Sequence, residues 1–186
     1  MNICKIIVVT VLLLGTSQLA QAEELELKYG VNTIDINADG LDDVIVKSRW
    51  ENGNAHSFDR FYTVLASKWM KGQLYEVPVG KTGYDAPHFF ETRENVSCHS
   101  SELAHTVKIV FEKQASGEVV AKKFFLENGR YSEERSAFMK IYHLTNTIEE
   151  FGIGGNIGAG LHFWKKGDVI NLEGKYCDVK KAISEN

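Results

Sequence analysis

Thr106-Val107-Lys108-Ile109-Val110-Phe111-Glu112 (TVKIVFE) carries the clearest secondary-structure signal in the chain. Val107, Ile109 and Phe111 occupy alternate positions, so in an extended backbone their side chains point to the same face. This period of two is typical of a strand that buries one face and leaves the other more open. The segment therefore predicts a strand in a layered β fold.

Similar extended runs lie on both sides of this segment, and glycine, asparagine or serine separates most of them. They are Leu25–Ile36, Val44–Trp50, Phe58–Ala66, Leu74–Val79, His88–Cys98, Val119–Leu126 and Leu161–Leu172. Regularly spaced strands without alternating helices predict an all-β domain, an antiparallel β-sandwich or a barrel. Ser132–His143 fits a helix, or a strand at Phe138–Leu144. The tail after Cys177 fits a short terminal helix capped by Asp178.

The first 22 residues have the form of a secretory signal peptide. Lys5 is followed by the ten-residue apolar run Ile6–Gly15, and Ala20-Gln21-Ala22 matches the small residues that signal peptidase accepts. Cleavage after Ala22 leaves a single domain over 23–186. No membrane insertion is expected after cleavage, because spanning a bilayer takes about 20 apolar residues and no later stretch of the sequence is apolar over that length. An uncleaved anchor is the alternative.

Removal of this segment changes the composition of the working protein. The full chain of 186 residues has 21 basic and 25 acidic residues and a net charge of −4. The remaining 164 residues (186 minus 22) lose Lys5 and carry −5. Such a balance argues against a nucleic-acid partner, which normally requires a basic surface.

Two cysteines remain after cleavage, Cys98 and Cys177. An even number in an exported chain favours a disulfide between them, with two free buried thiols as the alternative.

The strongest chemical signal is the acidic stretch 35–43, DINADGLDD. Oxygen-bearing residues alternate along it, and Gly40 allows a tight turn that directs them to one point. Hard cations require six to eight such oxygens, which favours calcium over magnesium. The predicted ligands are Asp35, Asn37, Asp39, the Leu41 carbonyl and Asp43.

This stretch is not an EF-hand loop, because Val46 stands where that loop has its twelfth-position glutamate and the flanks read as strands. The alternative is an Asx-rich turn with a solvated acidic tip. In either case a structural role is expected, since the loop contains no histidine.

Motifs for hydrolytic chemistry are incomplete. Lys81-Thr82-Gly83 matches one element of serine β-lactamases, but the S-x-x-K element is absent from the sequence. The six histidines show no H-E-x-x-H spacing, and the glycine-rich stretch 152–160 lacks the strand–helix context of a dinucleotide site. The chain is therefore predicted not to be an enzyme, with a hydrolase of unconventional site left as an alternative.

Two aromatic pairs, Phe89-Phe90 and Phe124-Phe125, place bulky side chains on opposite faces of a strand. One member of each pair lies beneath a second layer or at a dimer interface.

Taken together, the signal peptide, the strand pattern and the Asp35–Asp43 loop resemble the carbapenem intrinsic resistance proteins of the CarG type. The resemblance implies a β-sandwich of stacked antiparallel sheets with short terminal helices, a homodimer, a periplasmic location and a cation at the acidic loop. It also implies self-resistance to a carbapenem without recognised hydrolysis, by sequestering the drug or shielding a cell-wall target.

The fold of that family is similar to periplasmic inhibitors of invertebrate-type lysozyme, which gives an alternative function as a protein-binding module. Those inhibitors use a Ser-Gly loop followed by tyrosine. Here Ser116-Gly117 is followed by Glu118-Val119-Val120, which argues against lysozyme inhibition.

Overall fold

A computed structural model describes residues 22–51, 57–67, 72–80, 87–130, 132–146 and 162–186. These residues form eleven strands and one helix. The signal segment up to residue 21, the K-T-G stretch 81–83 and the glycine-rich stretch 152–160 lie outside the described residues. In the described part of the chain, no helix is long and apolar enough to cross a membrane.

The strands form two antiparallel sheets. The six-stranded sheet has the order β1-β8-β9-β10-β11, and β7 also pairs with β8. Its strands are β1 (Glu23–Glu24), β7 (Arg93–Val96), β8 (Leu103–Lys113), β9 (Val119–Leu126), β10 (Arg135–Asn146) and β11 (His162–Tyr176). The five-stranded sheet has the order β2-β3-β4-β5, with β6 also on β4. Its strands are β2 (Gly30–Ile34), β3 (Asp43–Glu51), β4 (Ser57–Ser67), β5 (Gln73–Glu76) and β6 (Phe90–Glu91).

The two sheets pack face to face over one aromatic core. Trp164 is fully buried at its centre, with its ring centroid 5.6 Å from that of Phe90 and 6.1 Å from that of Phe111. Its indole N–H donates to the Thr63 hydroxyl at 2.7 Å, so the polar atoms of both buried side chains are satisfied. The alternation that Ile109 and Phe111 show in the sequence places both in this core.

The outer face of the six-stranded sheet is covered by the C-terminal helix, Val179–Glu185. Val179 and Ala182 on the helix pack with Phe124 and Leu172 of the sheet. Asp178 caps the helix by accepting a hydrogen bond from the Lys180 N–H at 2.8 Å. The described residues thus form an all-β sandwich with one short helix, as the sequence predicts.

Three local predictions can be compared with the structure. Residues 135–146 form strand β10, so the strand alternative for this region is correct and the helix alternative is wrong. The predicted run His88–Cys98 is two strands, because β6 pairs with β4 in one sheet and β7 pairs with β8 in the other. Of the run Leu25–Ile36, only Gly30–Ile34 is strand.

Candidate functional site

The acidic loop connects β2 to β3 and curls on itself. Ala38 and Gly40 both have positive φ angles, 57° and 84°, which tighten the turn. The Asp35 carboxylate accepts hydrogen bonds from the N–H groups of Asp39 at 3.0 Å and Gly40 at 2.8 Å. Asn37 also accepts from the Asp39 N–H, at 3.1 Å. The oxygens of the loop therefore already organise its own backbone.

Asp43 has a different position from the other predicted ligands. It is fully buried at the start of β3, and its two oxygens accept from the N–H groups of Ile36 and Ala66, each at 2.8 Å. Burial is the main cause that raises the pKa of Asp43, and the nearby charges of Asp39 and Asp35 raise it further, against those two backbone hydrogen bonds. Asp43 thus ties the loop to the edge of the core.

The donor set is chemically suited to a hard cation. Each carboxylate oxygen has two lone pairs, so an oxygen that accepts one N–H keeps a second site for a metal. The aspartate oxygens are not gathered tightly, however. Among the described residues, the His, Cys, Asp and Glu ligand atoms found within 4.8 Å of one another in a group of three belong to Cys98, His99 and Cys177. A cation bound by three aspartates would therefore draw the loop in further.

The negative charge of the loop extends to Tyr75 on β5. The phenol shares a hydrogen bond of 2.6 Å with Nδ1 of His162. Desolvation, followed by the charges of Asp43 and Asp39, raises the pKa of Tyr75 to about 12. The field of the two aspartates thus reaches a neighbouring strand.

The hairpin between β8 and β9 packs against the acidic loop. The N–H of Val119 donates to the Ile36 carbonyl at 2.8 Å. A Cβ added at Gly117, whose φ is +91°, would lie 3.2 Å from the Cβ of Ala38. The Ser116-Gly117 turn and the predicted cation loop therefore form one continuous surface.

Cys98 and Cys177 form a disulfide that joins the end of β7 to the start of the C-terminal helix. This agrees with the predicted pairing. The ligand-atom group that includes His99 is this disulfide plus an adjacent surface histidine, whose Nε2 lies 2.7 Å from a Glu134 carboxylate oxygen. Because the two sulfurs are bonded to each other, no thiolate is left to bind a metal.

The two predicted aromatic pairs are explained by hydrophobic clusters on both faces of the six-stranded sheet. Phe90 lies between the sheets, and Phe124 lies beneath the helix. Their neighbours remain half-buried: Phe89 packs beside Tyr62 with ring centroids 5.3 Å apart, and Phe125 stacks on Phe138 at 5.6 Å. The pairs therefore give no separate support to a dimer.

A cavity that the sequence did not suggest lies between β6, with its preceding loop, and the strands β9, β10 and β11. It has a volume of about 360 Å³, and its lining includes Lys123, Lys166, Tyr142 and Phe89. These residues come from different strands and one loop, and no short motif in the sequence links them.

Comparison with solved structures supports the predicted fold resemblance. The chain is similar to the crystal structure of CarG, with a TM-score of 0.67 and 17% sequence identity, over 88% of this chain and 94% of that chain. No protein-family model matches the sequence. No curated protein matches it either. The likeness to CarG is thus one of fold over nearly the whole chain.

Proposed function

We propose that this chain is a periplasmic, non-enzymatic protein that confers resistance to a carbapenem. The observation that supports the proposal is the CarG-like fold, which extends over 88% of the chain. The signal-peptide pattern of residues 1–22 and the absence of an S-x-x-K or H-E-x-x-H motif from the sequence favour the same function.

The proposal includes a divalent cation, calcium in preference to magnesium, at the acidic loop. Asp35, Asn37 and Asp39 supply side-chain oxygens at the tip, the Leu41 carbonyl adds one, and Asp43 anchors the loop to the core while retaining free lone pairs. The proposed role of the cation is structural, because the β8–β9 hairpin packs against the loop.

We also propose a homodimer, formed through the outer edge of β11. Within the described residues this strand pairs with β10 on one side only, apart from a parallel bridge between Trp164 and Val79. Val169 and Ile170 are 46% and 42% exposed on it. An unpaired strand edge with apolar side chains is a surface that a second copy can extend. Light scattering is expected to show a dimer for the wild type and a monomer for Ile170→Lys. An Ile170→Lys dimer with the same dissociation constant as the wild type would rule out this edge.

The direct test of function is carbapenem tolerance in a sensitive host. Export of the full chain is expected to raise tolerance, and a version without residues 1–22, which stays in the cytoplasm, is the matched control. Unchanged susceptibility despite periplasmic accumulation would exclude the proposed function.

The non-enzymatic part has a separate test. The absorbance of the carbapenem β-lactam is followed with pure protein, with and without calcium. A stable signal is expected, and catalytic decay with many turnovers would identify a hydrolase instead.

A second candidate function is lysozyme inhibition. The Ser-Gly element of such inhibitors is present at Ser116-Gly117, where the exposed Ser116 hydroxyl donates to the Glu118 carboxylate at 3.3 Å, but no tyrosine follows it. A lysozyme turbidity assay separates the two functions, and full lysis in the presence of the protein is the outcome expected from the missing tyrosine.

A further inference from the structure

Two lysines, Lys123 and Lys166, line the cavity between β6 and the six-stranded sheet, and a third, Lys140, lies next to them. Lys123 on β9 lies directly opposite Lys140 on β10 in the strand register. Lys166 on β11 lies opposite Tyr142, which is two residues beyond Lys140 on β10. The Lys140 amine lies near the charge of Lys166 and over the Phe125 ring, 5.3 Å from its centroid. Like charges placed across a strand pair repel, so the arrangement needs a compensating interaction.

The described acidic neighbour compensates these charges only in part. Glu91 lines the same cavity, but Arg60 and Arg93 occupy both of its oxygens. The Arg60 Nε lies 3.0 Å from one oxygen, and the Arg93 Nε lies 3.3 Å from the other. In the described residues, the lysines therefore have no carboxylate of their own.

Burial adds to this unfavourable electrostatic environment. Desolvation, followed by the charge of Arg93, lowers the pKa of Lys123. Desolvation, followed by the charges of Lys166 and Lys123, lowers the pKa of Lys140. Lys123 combines such a shift with a position in the cavity wall, which is typical of binding sites.

Aromatic side chains also line the cavity. Phe89, Phe90 and Tyr142 line the cavity beside the lysines. The Arg60 guanidinium stacks at 4.6 Å from the Phe89 ring centroid and fixes that wall. A volume of about 360 Å³ lies within the range of small-molecule sites. The cavity thus combines cationic side chains with flat apolar surface.

We infer that this cavity binds a small organic carboxylate, with the carboxylate at Lys123 and Lys166 and an apolar portion against Phe89 and Tyr142. Two sources have this chemistry: a carbapenem, whose bicyclic core bears one carboxylate, and the carboxyl-terminal D-alanyl-D-alanine of cell-wall peptides. The carbapenem source rests on the proposed function, whereas the cavity itself does not.

Calorimetric titration with a carbapenem and with an acetylated D-alanyl-D-alanine tests the inference, and acetate and inorganic phosphate serve as simple anions. Binding of either organic probe is expected. The Lys123→Met/Lys166→Met variant should weaken it by about tenfold or more, since two charge-assisted contacts are removed. Lys113→Met, which removes one exposed charge at the far end of β8, should leave affinity unchanged.

Two further variants separate charge from folding. Lys123→Arg/Lys166→Arg keeps the charge and should retain most of the affinity, and Lys123→Gln checks that the loss does not depend on methionine. The inference is overturned if neither organic probe binds, if acetate and phosphate bind as tightly as the organic probes, or if binding survives in the double methionine variant. Binding without cellular resistance would refute the proposed function alone, and resistance without binding would refute this inference alone.

Discussion

The acidic loop and the lysine cavity are both clusters of like charge, but their surroundings differ. In the loop, backbone N–H groups within a few residues of Asp35 satisfy the carboxylates. At the cavity, the lining residue Lys123 lies opposite Lys140 on the neighbouring strand, and the described carboxylate Glu91 is held by two arginines. The loop is therefore organised without a ligand, whereas the described residues of the cavity keep an excess of positive charge that an anion would relieve.

This difference explains which site the sequence could reveal. The loop collects its oxygens within nine consecutive residues, so its spacing alone suggests a cation site. The cavity takes residues from β6, β9, β10 and β11, and only the strand register brings them together. Charged residues that alternate along separate strands look the same in sequence whether they face solvent or a cavity.

The largest expected effect concerns the buried end of the loop. Asp43→Ala should lower the free energy of unfolding by about 3 kcal/mol, because it leaves the buried N–H groups of Ile36 and Ala66 without an acceptor. Urea denaturation measures this, with the exposed neighbour variant Asp42→Ala as control. Equal effects of the two substitutions would show that Asp43 does not anchor the loop.

Calcium should have the next largest effect. At a concentration roughly 30 times its Kd, it should stabilise the wild-type protein by about 2 kcal/mol in thermal unfolding. Asp35→Asn should abolish the gain, and Asp42→Asn should keep it. A protein whose Tm is the same in chelator and in calcium would leave the loop as an Asx-rich turn.

Substitution of a cavity lysine should instead raise the free energy of unfolding. Lys123→Met should stabilise the protein at pH 7, on the order of 1 kcal/mol, because binding sites are built at the expense of stability. Burial lowers the pKa of Lys123 in the folded state. The wild type therefore recovers stability as pH rises from that lowered pKa towards 10.5, and the gap between the two proteins should close.

Unfolding curves between pH 7 and pH 10.5 check this dependence, with Lys113→Met as the control of matched charge. A Lys123→Met protein less stable than this control at pH 7 would mean that the lysine is well compensated and that the cavity lacks the proposed imbalance.

Local patterns predicted most of the fold. The TVKIVFE segment lies within β8, where Ile109 and Phe111 face the core as their alternation indicates. Asp178 caps the terminal helix as expected from its position before an apolar face. What local patterns did not reveal was the change of sheet between β6 and β7. Thr92 lies at this change, and its N–H donates to the Asp59 carbonyl at 2.9 Å, a contact that depends on tertiary structure.

The most direct test of the account is carbapenem susceptibility in a sensitive host that exports, at equal periplasmic levels, the wild type, Asp39→Ala, Lys123→Met/Lys166→Met or Lys113→Met. Wild type and Lys113→Met are predicted to raise carbapenem tolerance equally, and the Lys123→Met/Lys166→Met variant is predicted to lose this protection. Asp39→Ala is predicted to protect less than the wild type, and added calcium should restore part of that protection. Equal susceptibility of the wild-type strain and the empty-vector strain would contradict the account at its centre.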